Sequence, residues 1–179
     1  MESRDEETLK YFETLQTISS RANRILNKLI EMHEMYQKSP LVEIVNVERC
    51  VKAAVDLAGK SELASGINIS YDIDKNVEWL CDKTLLVTII ENMLINAFLF
   101  SVNKESYVKL KVFKNPTSHL KIRFEDNGYG ILESDVNKVF DVFFKGSPRR
   151  SGTGLEIYSA RIAVEKLKGN IELKKPKDN

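Results

Sequence analysis

The sequence predicts an α+β protein, a two-layer sandwich of helices on a sheet, preceded by one long helix. Three observations carry that expectation. Residues 6–37 contain no Gly or Pro and hold an apolar stripe at helical spacing. "YVKLKVFK" (107–114) and "HLKIRFED" (119–126) alternate apolar and polar residues on either side of Asn115-Pro116-Thr117-Ser118, as two antiparallel strands joined by a turn do. Segments of helical periodicity lie between the strand-like stretches, which favours helices layered on one sheet.

Taken in order, the long helix comes first. Ser3-Arg4-Asp5-Glu6 fits a capping box, and Pro40 ends what it starts. Tyr11, Leu15, Ile18, Ala22, Ile25, Leu29, Met32 and Tyr36 recur at alternating spacings of four and three, which is a coiled-coil or bundle seam. A lone helix cannot bury such a stripe, so a partner helix is expected from another chain or from sequence not present here. The boundary near residues 38–40 separates residues 1–39 from a compact domain over 40–179. "LVEIVN" (41–46) reads as a short strand, 47–60 as a helix, "INISYDI" as a strand and 82–102 as an apolar helix. After the hairpin, 133–140 looks helical, 145–152 (KGSPRRSG) is a polar loop, 154–168 is helical and "GNIEL" (169–173) begins a last strand.

Bulk properties narrow the function. At 179 residues there is room for one good core, and 42% hydrophobic with 30% charged residues is ordinary for a globular chain. A net charge of +1 gives no expectation of a nucleic-acid partner or of membrane contact by this segment. No apolar stretch is long enough to span a bilayer, so a soluble, cytoplasmic segment is expected, whose parent protein could be membrane-anchored. Cys50 and Cys81 lack metal spacing and read as buried thiols.

Three weak motifs carry chemistry. In "HLKIRFED", Leu120, Ile122 and Phe124 share a face, and Asp126 is in phase with them. An inward carboxylate needs a donor, from the protein or from a ligand. On "ENMLINAFLFS" (91–101), Asn92 and Asn96 lie one turn apart on one helix face, with Thr88 a turn before. Two carboxamides in a row suit hydrated Mg²⁺ with phosphate oxygens, or a pair of hydrogen-bonded structural asparagines. Gly152-Thr153-Gly154 opens an apolar-periodic helix, either as an anion site built of backbone N–H groups or as a plain glycine-rich cap.

In fixed order these motifs resemble the ATP-binding domain of sensor histidine kinases, within the superfamily that includes gyrase, Hsp90 and MutL-type ATPases. "ENMLINAFLFS" is similar to that family's N box and "DNGYGI" to its first glycine box. "VFDVFFKG" is similar to its phenylalanine box and "GTGLEI" to its second glycine box. The resemblance covers roughly residues 40–174 and implies a Bergerat-type ATP-binding fold with ATP and Mg²⁺ bound. It extends to "RANRILNKLIEM", which resembles the second helix of the dimerisation and phosphotransfer hairpin and implies a homodimer through the long helix. The hairpin's phosphoaccepting His motif is missing: His33 in "EMHEMY" stands at the wrong end of the wrong helix, and His119 starts a strand.

By resemblance, Asp126 would accept from the adenine amino group. Gly128 and Gly130 would let the chain turn beside the base, with Ile131 as a wall. Asn92 and Asn96 match the N-box asparagines, Asn96 as the Mg²⁺ ligand. Gly152, Thr153, Gly154 and Leu155 match the segment that contacts phosphates. Phe140, Phe143 and Phe144 match the lid hinge, and Lys145, Arg149 and Arg150 stand where lid cations reach the γ-phosphate. Two departures weaken the phosphate site: Leu99 stands where the family has Lys, and Glu156 where it has a third glycine. The implied function is the catalytic part of a two-component histidine kinase, passing the γ-phosphate to a His outside this segment and serving a response regulator. The alternative is a degenerate, non-catalytic scaffold of the same shape. A serine kinase of the anti-sigma type shares the boxes but does not need the long seam helix.

Overall fold

The computed structural model describes residues 2–74, 77–102, 105–116, 119–146 and 152–174, with side chains from residue 7 onward. The chain divides into two compact units, Met1–Lys38 and Ser39–Asn179.

The first unit is helix α1, Glu2–Gln37. It begins before the expected capping box, because residues 3–6 are themselves helical. Glu2, Arg4, Glu6 and Glu7 are good helix formers, and nothing there stops propagation. Tyr11, Leu15, Ile18 and Tyr36 of the seam are each more than half exposed. No described helix is long and apolar enough to cross a membrane.

The second unit is an α+β sandwich. Its elements are β1 (Val42–Asn46), α2 (Val47–Gly59), β2 (Asn68–Ile73), β3 (Glu78–Asp82), α3 (Lys83–Leu99), β4 (Tyr107–Lys114), β5 (Leu120–Asp126) and α4 (Glu156–Lys166). The predicted hairpin forms as read: β4 and β5 pair antiparallel with Leu110 opposite Phe124 and Val112 opposite Ile122. Its turn is closed by Asn115, whose N–H donates to the His119 carbonyl and whose Oδ1 accepts from the His119 N–H at 2.7 Å. Residues 117–118 of that turn lie outside the described residues.

Strand β2 joins β4 in parallel, Tyr71 beside Leu110, so the chain between them crosses over through β3 and α3. Strand β3 was not anticipated. Trp79-Leu80-Cys81 runs directly into helical sequence, and only its antiparallel pairing with β1, Ile44 opposite Leu80, distinguishes it. Asp82 makes the switch, with Oδ1 capping α3 at the Leu85 N–H and Oδ2 accepting from the Leu41 N–H at 2.7 Å. Ile90 and Leu94 of α3 pack with Val51 and Ala54 of α2 and with Val108, Leu110 and Val112 of β4, all buried. Each of the larger side chains contributes about 1.5–3 kcal/mol on burial.

Two other expectations are corrected. Residues 133–140 form one 3₁₀ turn, Glu133–Asp135, followed by turns. Ser134 and Asp135 bond to each other at 3.2 Å, and so short a segment does not offset the cost of nucleating a helix. "GNIEL" forms no strand among the described residues. The Gly169 N–H returns to the Val164 carbonyl, and Gly169, Asn170 and Ile171 line a cleft with Arg161 and Val164 of α4 instead of joining a sheet edge.

The end of α4 offers a stability test. Lys168, just past the cap at Leu167, holds φ at 57°, a left-handed conformation that suits Gly. Lys168→Gly is expected to raise stability by about 0.5–1 kcal/mol, read as a higher urea midpoint at unchanged slope.

Candidate functional site

The last turn of α3 organises the site. The Phe100 N–H caps that helix on the Asn96 carbonyl, and the Phe100 carbonyl accepts from the Tyr129 N–H at 3.2 Å. A Cβ on Gly128 would lie 2.6 Å from that same carbonyl oxygen, so the segment after β5 can lie against α3 only with glycine there. Asn127, which sequence reasoning passed over, pins this segment. Its Oδ1 accepts from the Tyr107 N–H at 2.8 Å, and its Nδ2 donates to the Glu105 carbonyl. An Asn directly after a strand and before a glycine was the available signal. Gly130 has φ of 69° with nothing near a Cβ, so there glycine serves the turn alone.

Asp126 departs from the inward burial expected of it. It keeps the predicted phase, opposite Val108, but the sheet ends there and the carboxylate is exposed. Oδ1 accepts from the Gly128 N–H at 2.9 Å, and no described residue donates to Oδ2. One oxygen therefore holds the turn, while the other has no donor among the described residues. Ile131 beyond it is 42% exposed.

On α3 the two asparagines separate. Asn92 is buried, and its Nδ2 donates to the Thr88 carbonyl at 2.8 Å within the helix. Asn96 is half-buried, and its carboxamide has no hydrogen bond to a described residue. Among the described residues no three His, Cys, Asp or Glu side chains cluster as a metal site. Cys50 and Cys81 are buried; burial, with Cys50 nearby, pushes the Cys81 thiol up to about 11, which leaves it unreactive.

The glycine segment before α4 meets the same turn of α3. A Cβ on Gly152 would sit 3.4 Å from Leu99 Cδ1 and 4.0 Å from Glu156 Oε2, so the two unusual residues of the sequence flank one glycine. Gly154, at φ 76°, lies against the backbone of Phe143 and Phe144, whose atoms a Cβ would meet at 2.7–2.9 Å. Phe143 itself has φ of 61° and is 52% exposed. Phe140 accepts at its carbonyl from Arg161, 3.5 Å away. Lys145 is half-buried, and Arg149 and Arg150 lie outside the described residues.

Thr153 and Leu155 are buried, and their backbone N–H groups are already engaged. Glu156 Oε1 accepts from the Thr153 hydroxyl at 2.7 Å and from the Thr153 N–H at 3.4 Å; Oε2 accepts from the Leu155 N–H at 3.2 Å. Thr153 Oγ1 also accepts from the Leu155 N–H. The Thr-x-x-Glu spacing of Thr153 and Glu156 is a capping-box pattern, and was the sequence signal for this arrangement.

Residues 81–179 match the family of histidine kinase-, DNA gyrase B- and HSP90-like ATPases. The sensor-like histidine kinase SenX3 of Mycolicibacterium smegmatis is 30% identical over 176 residues, 94% of this chain and 45% of that protein. The sensor protein kinase WalK of Staphylococcus aureus is 27% identical over 161 residues, 86% of this chain and 38% of its own length. The chain thus spans less than half of these relatives. The solved structure of the mycobacterial sensor histidine kinase MprB superposes with a TM-score of 0.62 at 21% identity, covering 72% of this chain and 81% of that one, a likeness of fold.

Proposed function

The chain belongs to the family of histidine kinase-, DNA gyrase B- and HSP90-like ATPases, and from that premise we propose that it is the ATP-binding catalytic part of a two-component sensor histidine kinase. In this reading residues 40–179 bind Mg-ATP, and residues 1–39 supply one helix of the dimerisation and phosphotransfer region. The observation that carries it is the convergence on one turn of α3. The Phe100 carbonyl accepts from the Tyr129 N–H in the segment after Asp126, Leu99 lies beside Gly152, and Asn96 lies one turn before.

Each residue then has a task it is equipped for. Asp126 Oδ2 accepts from the adenine amino group, while Oδ1 keeps the Gly128 turn in place. Gly128 and Gly130 bring the backbone beside the base, and Ile131 covers it. Asn92 holds the helix at Thr88, next to the site. The segment Gly152, Thr153, Gly154 and Leu155 is the part that would contact the phosphates, and Lys145 is a cation available to them, with Arg149, outside the described residues, as the other cation the sequence offers.

The Asn96 carboxamide oxygen fits Mg²⁺, a hard cation that takes oxygen ligands and is commonly shared with a nucleotide's phosphates. Bound there, Mg²⁺ would neutralise phosphate charge during transfer. The exposed seam of α1 supports a homodimer, and the phosphate would pass to a His outside this segment and on to a response regulator.

Calorimetric titration with ADP and Mg²⁺ tests the reading: the folded protein should release heat on binding, and its absence at high protein concentration would reject it. Asn96→Ala is expected to weaken Mg-ADP binding about tenfold or more. It should also abolish the response to EDTA while leaving adenosine binding unchanged.

A further inference from the structure

Two backbone N–H groups just before α4, those of Thr153 and Leu155, do not point at an open space. The carboxylate of Glu156 folds back over them and takes the N–H groups of Thr153 and Leu155 and the Thr153 hydroxyl. These are among the donors that a phosphate placed at this glycine segment would use. Leu99, an apolar side chain, closes the other flank of Gly152. A carboxylate and a phosphate oxygen ask for the same donors, and two anions cannot share them at hydrogen-bond distance without strong repulsion.

We propose that Glu156 is an internal occupant of the phosphate position, so that nucleotide binding is an exchange in which the phosphates displace its carboxylate. The inference rests on the adenine-nucleotide reading above and adds to it a determinant of ligand preference. The base site around Asp126 is untouched by Glu156, so the nucleoside part binds without the exchange. Every phosphate contact at Thr153 and Leu155 must first break a bond that the protein already makes. Affinity therefore rises less from adenosine to ADP to ATP than it would without Glu156. A plain capping role for Glu156 predicts something else: its loss loosens the start of α4 and changes all three ligands alike.

The test compares wild type, Glu156→Ala and Glu156→Gly by calorimetry with adenosine, Mg-ADP and Mg-ATP, with thermal unfolding to confirm that each is folded. Alanine keeps helix propensity at that position, so it guards against a glycine variant that unfolds. In both variants the ratio of ATP to adenosine affinity is expected to rise at least about tenfold over wild type, with adenosine itself unchanged. An unchanged ratio overturns the exchange and leaves the nucleotide reading standing. Failure of folded wild type and variants to bind any of the three overturns both, and leaves the non-catalytic scaffold.

Discussion

Asp126→Asn is expected to abolish measurable adenine-nucleotide binding, a loss of at least about 100-fold, without unfolding the protein. The substitution is informative because it divides the two oxygens of one side chain. Asn retains an acceptor for the Gly128 N–H, so the turn that Asp126 Oδ1 holds at 2.9 Å survives. The other position becomes an amide nitrogen, a donor facing the donor group of the purine. Two donors in opposition cost more than a missing bond, since neither finds an acceptor once water is excluded. Calorimetry with Mg-ADP reads the first effect. A thermal midpoint within a few degrees of wild type reads the second. Normal binding by the variant would remove Asp126 from base recognition.

Gly154→Ala is expected to cost about 2–4 kcal/mol of stability. About 1–2 kcal/mol comes from holding an L-residue at φ 76°. The rest comes from a methyl group placed 2.7 Å from the Phe143 carbonyl carbon and 2.8 Å from the Phe144 oxygen, atoms of backbone that cannot swing aside. Gly130→Ala is the control: its φ of 69° is similar, but nothing lies within 4 Å of the added carbon, so it should cost only about 1 kcal/mol. Urea denaturation of the two variants separates conformational strain from steric overlap. Equal losses would mean that the Phe143–Phe144 segment yields freely. The same contact ties the glycine before α4 to the phenylalanine segment, so displacing one should disturb the other.

Much of the fold could be read residue by residue. Leu120, Ile122 and Phe124 alternate with charged residues, and a period of two assigns faces whatever the partner strand. Asn115 after Lys114 marks its turn for the same local reason. Strand β3 escaped because Trp79, Leu80 and Cys81 are a short apolar run before the Asp82 cap, without the alternation that marks a strand, and because a strand exists only through its neighbour. The final strand failed in the opposite way: "GNIEL" has strand-like residues but packs beside α4.

For the site, the residue types and their order offered Asp126, Asn96 and the glycine segments as candidates. Their relations did not follow from order. That Asp126 ends a ladder in the open, that Asn92 turns to Thr88 while Asn96 bonds to no described residue, and that Leu99 and Glu156 both lie near Gly152 are facts about distance. Glu156 lies between the two cases. Its capping pattern with Thr153 is visible in four letters, yet its significance depends on which donors the carboxylate covers.

The division follows from the physics. Periodicity, caps and glycine positions act within a few residues, so the amino-acid order alone determined the α-helices, most strands and the chemistry available, though not the turns at 133–140. Contacts between segments separated by dozens of residues arise only when the core around Ile90 and Leu94 closes. Packing therefore decided which donors and acceptors meet, and which of them the protein already satisfies by itself.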